Sequence, residues 1–212
     1  MNLKCIHGHT VDLSLLTQGG YVLDLGCRDF IFTQEMLNIG MKVISIDPYK
    51  DIQIEQKLLN NKNFIFKNMA CVGLKTNEYL KYYEYNDWGA NSLFDICAEN
   101  KQYKEIKKYD VKTTTIGEIM KELNIEIFEL IKIDVEGSEY EILKNLPKNC
   151  SKQLSVEFHD WLRLNPYKDE PEKFYEEIEK SVLKDYLVLE KKRVPMHEGF
   201  TYSDVLYVLY NH

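Results

Sequence analysis

Short apolar runs alternate with helically spaced apolar positions along most of this chain. YVLDLGC (21–27) reads as a strand that ends in Asp24 and Gly26. FIFTQEMLNI (30–39) carries apolar positions at helical spacing and stops at Gly40, a natural residue just past a helix end. MKVISIDP predicts a second strand closed by Asp47 and Pro48, DIQIEQKLLN a short helix, and NFIFKNMACVG a third strand. IGEIMKELNI predicts a helix before the buried strand of IFELIKIDVEGSEYEIL (127–143), which stops in Asp134, Glu136 and Glu139. The helix after it ends before Pro147, a stop signal. QLSVEFHDW is a fifth strand and PEKFYEEIEKSVLKD an amphipathic helix. YLVLEKK and SDVLYVLYNH are terminal strands, paired as a hairpin around RVPMHEGFTY.

This alternation predicts an α/β fold with a doubly wound, mostly parallel sheet. The last two strands have no helix between them, so the last strand is expected to run antiparallel. No linker rich in Pro, Gly or Ser divides the chain, and a single domain over 1–212 is expected. Residues 1–19 read as an N-terminal extension. Residues 74–110 read as an irregular insertion, in which LKTNEYLKYYEY alternates like a strand or hairpin arm.

An apolar strand that ends in carboxylates suggests that its C-terminal edge opens onto a ligand crevice, where open α/β sheets place their sites. The net charge is −7, which argues against nucleic acid as a partner. The basic run KEIKKYDVK (104–112) fits a solvated face. The five cysteines, Cys5, Cys27, Cys71, Cys97 and Cys150, are far apart and never spaced as CxxC, so reduced thiols are expected. The N-terminus lacks the apolar run of a signal peptide, and no stretch approaches a bilayer span. A cytoplasmic protein without a membrane partner is the expectation.

The turn after the first strand can bring backbone close to a nucleotide, and Asp47 can accept hydrogen bonds from a ribose diol. The dinucleotide pattern GxGxxG is missing, because Cys27, Arg28, Asp29, Phe30 and Ile31 follow Gly26. Asp29 opposes a phosphate but tolerates a ligand with a cationic amino-acid end. S-adenosylmethionine (SAM) is such a ligand.

DLGCRDFIFT, ISIDP, NMACVG, TTTIGEIM, LIKIDVEGSEYEIL and LSVEFHD occur in the order seen in FkbM-type SAM-dependent methyltransferases, and the chain resembles that family over roughly residues 20–160. The resemblance implies a Rossmann-like seven-stranded sheet with an antiparallel last strand. It also implies methylation of hydroxyls, often on sugars or other small molecules, including glycan modification. Asp24, Gly26, Cys27, Asp47, Asn68, Met69 and Ser92 are the expected cofactor-binding residues. Two departures stand out: Phe30 replaces a usual glycine, and Gly117-Glu118 stands where an acid directly follows a Thr-Leu pair.

Moving a methyl group to a hydroxyl benefits from a base or a metal ion. Lys132, Asp134 and Glu136 share one strand face, and Ser155, Glu157 and His159 share another. If these strands are neighbours, Lys132, Asp134, Glu157 and His159 meet at one edge as catalytic candidates. Lys132 is buried by position and needs a carboxylate, for which Glu157 is the natural choice. His159 or Asp134 could serve as base, and Asp134, Glu157 and His159 could hold a divalent cation. A purely structural Lys132–Glu157 pair with a satisfied His159 is the alternative. Glu136 and Glu139 suit a helix N-terminus. Trp88, Tyr82, Tyr83 and Tyr85 could form a sugar-stacking wall or pack a hairpin. His7 and His9 are too isolated in sequence to assign to a metal. An NAD-type oxidoreductase on a similar sheet and a non-catalytic α/β binding module are the competing functions.

Overall fold

The structure is a computed structural model that describes residues 1–87, 90–97, 101–159, 171–195 and 201–210. Its centre is a seven-stranded sheet. The strands are β3 (Tyr21–Leu25), β4 (Lys42–Ile46), β5 (Phe64–Lys67), β9 (Leu130–Ile133), β10 (Gln153–Phe158), β11 (Tyr186–Pro195) and β12 (Thr201–Leu209). Their spatial order is β11-β12-β10-β9-β3-β4-β5. β12 is antiparallel to both neighbours and is the one strand of the seven running against the others. Every residue of β9 is buried, as are all of β3 and β4 except their first, which explains their near-continuous apolar runs.

The helices are α1 (Ile31–Asn38), α2 (Gln56–Leu59), α3 (Ile116–Leu123), α4 (Glu139–Lys144) and α5 (Pro171–Lys180). Thr115 and Glu118 form a reciprocal capping box at the start of α3, and Glu118 also meets Lys75 at 3.1 Å. The acid of TIGEI therefore caps a helix. Large side chains such as Phe128, Phe158, Phe174 and Tyr207 fill the main core beside the sheet.

Three regions add to or differ from the sequence reading. The predicted third strand divides at Asn68-Met69. Asn68 Nδ2 donates to the carbonyls of Asp47 and Tyr49, and this tie turns the chain out of β5. The second part of the divided run, β6 (Ala70–Cys71), joins a separate three-stranded sheet with β7 (Tyr79–Tyr85) and β8 (Glu105–Thr114). Within 74–110, the strand or hairpin arm expected in LKTNEYLKYYEY is β7, paired antiparallel with β8. The basic run forms β8, whose first four residues are exposed as a solvated face requires.

The N-terminal extension is also ordered. β1 (Leu3–Ile6) and β2 (His9–Asp12) form a hairpin turned at His7-Gly8, both with positive φ. All four residues of β2 are buried. The Gln153 side chain clasps Asp12 through both ends of its amide: it accepts from Asp12 N at 2.9 Å and donates to Asp12 O at 3.1 Å. The hairpin is thereby docked onto β10.

Candidate active site

A cavity of about 210 Å³ opens at the C-terminal ends of β3, β4 and β9. That is where the chain order reverses across the sheet, the usual ligand crevice of this architecture. The turn after β3 is held by backbone. Gly26 has φ +77, donates to the carbonyl of Ile46 at 2.9 Å, and leaves no room for a Cβ against the carbonyl of Asp134. Gly26 thus joins the ends of three strands. Cys27, Arg28 and Asp29 follow it along the cavity wall. Burial, with Asp47 and Asp24 nearby, pushes the Cys27 thiol well up.

Phe30 adopts a left-handed conformation, φ 59, at the start of α1. A glycine would take it without strain. The phenyl ring is buried at the edges of Phe64 and Phe66, with centroids 5.8 and 5.6 Å away, and this packing offsets the strain. It does not line the cavity.

Asp47 does line it. Its carboxylate accepts from the backbone N–H groups of Arg28, at 3.0 Å, and Tyr49, at 2.8 Å, while burial raises its pKa. Other expected cofactor residues stand one layer back. Asp24 is wholly buried, accepts from Thr33 Oγ1 at 2.6 Å and lies 3.4 Å from Lys132 Nζ. Asn68 braces the β4 turn, and Met69 packs on the core. Ala70 and Cys71 take their place on the wall. Ser92 Oγ donates to the carbonyl of Glu136 at 2.6 Å, so it fastens a loop whose neighbours Asn91 and Leu93 face the cavity. Of the proposed aromatic wall, Tyr82 lines the cavity. Tyr83 and Tyr85 stack on each other in a separate cluster, and Trp88 lies outside the described residues.

The opposite wall is built of charges. Lys132 pairs with Asp24 and Asp134, at 3.4 and 3.3 Å, and donates to the carbonyl of Gly26 at 2.7 Å. The expected Lys132–Glu157 pair is not formed. In the β9–β10 register Lys132 lies beside Ser155, and Glu157 falls further along. The two carboxylates raise the Lys132 pKa against the opposing effect of burial. Lys132 and His9 hold Asp134 well below the ordinary carboxylate range, again against burial.

The VEGSE turn is shaped by Glu136 in a left-handed conformation (φ 50) and Gly137 (φ 106). Glu139 is fully buried and turns back to accept from Val135 N and Gly137 N, so it holds this turn rather than merely starting a helix. His159 lies between acids. Its Nδ1 is 2.9 Å from Glu139 and its Nε2 is 3.1 Å from Glu136 and 3.4 Å from Glu157. These acids raise the His159 pKa well above the ordinary imidazole value, although burial opposes them. Both nitrogens face carboxyl groups, and these contacts favour the protonated ring. Glu136 lines the cavity, and burial lifts its carboxyl above the usual range despite His159.

The ligand-type atoms expected for one metal set divide into two groups that share Asp134. One is His9, Asp134 and Glu157; the other is Asp134, Glu136 and His159. In each group the atoms lie within 4.8 Å of one another. His9, unassigned from sequence, comes 3.6 Å from Asp134 through the docked hairpin. His7 lines the cavity and meets Asp29 at 3.1 Å.

The cavity suits SAM on its own chemistry. Asp47 offers a carboxylate to a diol, and Ile46, Pro48, Ala70 and Cys71 offer apolar flanks to a flat base. Asp29, Asp134 and Glu136 make the wall anionic. Ser138 also lines it, 1% exposed, with a buried Oγ that has no hydrogen-bond partner among the described residues.

Residues 27–182 match the Methyltransferase FkbM domain. The chain therefore belongs to this family of SAM-dependent methyltransferases. No curated protein sequence matches it significantly. Among solved structures, it resembles the 1,6-didemethyltoxoflavin-N1-methyltransferase of Burkholderia thailandensis, at 12% identity and TM-score 0.47, over 92% of this chain and 72% of that one. It also resembles the magnesium protoporphyrin IX methyltransferase of Synechocystis PCC 6803, at 10% identity and TM-score 0.49, over 91% and 71%. The N-methyltransferase NodS of Bradyrhizobium japonicum WM9 is similar at 10% identity and TM-score 0.47, over 92% and 88%. Likenesses this distant say nothing of the acceptor. Among the described residues no helix is long and apolar enough to cross a membrane.

Proposed function

We propose that the protein methylates a hydroxyl group of a sugar, glycan or other small molecule. One observation carries this reading: two carboxylates, Asp134 and Glu136, face the same cavity as the nucleoside-type corner formed by Gly26 and Asp47. When bound, SAM supplies a methyl group made electrophilic by its sulfonium. Asp47 would hold the ribose, Ile46, Pro48, Ala70 and Cys71 the base, and Asp29 with Ser138 the amino-acid end.

The remaining residues handle the proton. An acceptor hydroxyl must lose its proton as its oxygen is methylated, and a base positioned at the oxygen assists. Glu136 is the carboxylate placed to take it, because Asp134 is engaged by Lys132. His159 is a positioning residue that holds Glu136, with buried Glu139 behind it. Lys132 is the counter-ion that keeps Asp134 an anion beside the cavity. Tyr82, Asn91 and Leu93 supply the acceptor-side wall. The acidic chain and the apolar and polar lining of this wall favour a small acceptor over nucleic acid.

The test is methyl transfer from labelled SAM to a panel of sugars, phenols, amines and thiols, with the modified atom located by mass spectrometry and NMR. Label on oxygen is expected. Glu136→Gln should lower turnover by roughly 10²–10⁴-fold while leaving the affinity for S-adenosylhomocysteine intact. Label on nitrogen or sulfur would overturn the hydroxyl reading, and full turnover in the variant would overturn the role of Glu136.

A further inference from the structure

We infer that His9, Asp134 and Glu157 bind one divalent first-row metal cation. His9 is brought to the site by the N-terminal hairpin and is only 1% exposed. Its Nδ1 lies 3.3 Å from Ser155 Oγ, which fixes the ring. Its Nε2 is buried and makes no hydrogen bond among the described residues. That atom points towards Asp134, 3.6 Å from Oδ2, which is too long for a hydrogen bond. A buried ring nitrogen left in this way costs stability unless something occupies it. The ligand atoms of His9, Asp134 and Glu157 lie within 4.8 Å of one another. An ion bound at ~2.0–2.2 Å from each needs only small side-chain rotations to draw them in.

Charge points the same way. Glu157 lies opposite Asp204 in the β10–β12 register, and Asp204 Oδ1 is buried without a hydrogen-bond partner among the described residues. Like charges directly opposite on a sheet repel. Among the described residues, the nearby cations are already committed. Lys132 serves Asp24 and Asp134, while Lys192, the β11 neighbour of Asp204, pairs with Glu190 at 2.8 Å. His159 Nε2 is shared between Glu136 and Glu157 and sits closer to Glu136. The set with His159 therefore lacks a free nitrogen, and the set with His9 has one. Two carboxylates with one imidazole suit a divalent first-row ion that prefers oxygen ligands, such as Mn²⁺. Asp134 belongs both to this site and to the cavity wall, so the ion could hold an acceptor by its oxygen and make its hydroxyl more acidic. That use rests on the hydroxyl-methylation reading; the binding itself does not.

The experiment is titration of the full chain with Mn²⁺, followed by calorimetry and pulsed EPR. We expect about one ion per chain and a nitrogen coupling from one imidazole. His9→Gln should remove the coupling and weaken binding at least ~10-fold, and His159→Gln should leave both in place. Lack of stoichiometric binding, or bound Mn²⁺ without nitrogen coupling in the unmodified protein, overturns the proposal with no variant needed. A coupling that survives His9→Gln and disappears in His159→Gln also overturns it. S-adenosylhomocysteine is titrated in parallel. Its failure to bind beside intact Mn²⁺ binding counts against the methyltransferase reading alone, and the reverse counts against the metal site alone.

Discussion

The two walls of the cavity are made in different ways. The corner at the ends of β3 and β4 is a backbone device: Gly26 passes close to Asp134, and Asp47 gathers two amide N–H groups from its own turn and the neighbouring one. The corner at the ends of β9 and β10 is a side-chain device, in which Lys132, Asp134, Glu136, Glu139 and His159 hold one another by charge. The first tolerates few residue types because of shape. The second depends on partners being present together, since a buried charge that loses its counter-ion is costly.

The largest effect should come from breaking the charge device. Lys132→Met leaves Asp24 and Asp134 without their cation. It is expected to destabilise the fold by about 3–5 kcal/mol in urea denaturation. Gly26→Ala tests the backbone device. Its positive φ and the collision with Asp134 should cost about 2–3 kcal/mol and weaken S-adenosylhomocysteine binding as the three strand ends part. A smaller loss would mean that the turn can yield and that the contrast between the two walls is overdrawn.

A pH titration sharpens the comparison. The folded pKa of Asp47 is raised by burial, so ionising it disfavours the folded state. Its contribution to stability is therefore fully present below the ordinary Asp pKa and is lost as pH rises through the raised value. Ligand binding runs the opposite way, because a ribose diol needs the carboxylate. Affinity for S-adenosylhomocysteine should fall on acidification at a pH above the ordinary Asp range. Asp47→Asn should lack that acid limb, as calorimetry across pH would show. Smallest is the effect of Thr115→Ala, which removes half of the α3 capping box outside both walls. It should cost ~1 kcal/mol in thermal unfolding and leave ligand affinity unchanged.

The contrast also decides what can be read from the sequence. Gly26 and Asp47 sit in turns between strands with clear apolar runs, and the turns themselves are legible whatever their distant partners. The sheet, its antiparallel strand and the location of the crevice follow from the same runs. Partner choice in the charge cluster depends on strand register and on which strands are neighbours. Face alternation alone pairs Lys132 with Glu157, whereas the register sets it beside Ser155 and turns it to Asp24 and Asp134. Asp24 reads as a cofactor ligand because it ends a strand, yet the buried lysine claims it. His9 is the least legible residue. The hairpin signal, His7-Gly8 between LKCI and HTVD, is present, but its docking onto β10 depends on distant Gln153. Phe30 is visible as an exception, while the three-ring packing that supports it is not.

The place of β12 between β10 and β11 has a consequence for biosynthesis. The ribosome makes β12 after both strands that it separates, so the sheet cannot close in the order of synthesis. Until β12 arrives, a nascent chain carries β10 with a bare edge, next to the acids of the cavity. Such an edge invites pairing with another chain, and long-range strand insertion is slow. The step most exposed to aggregation should therefore be the final one, in which one strand both completes the sheet and sets Asp204 opposite Glu157.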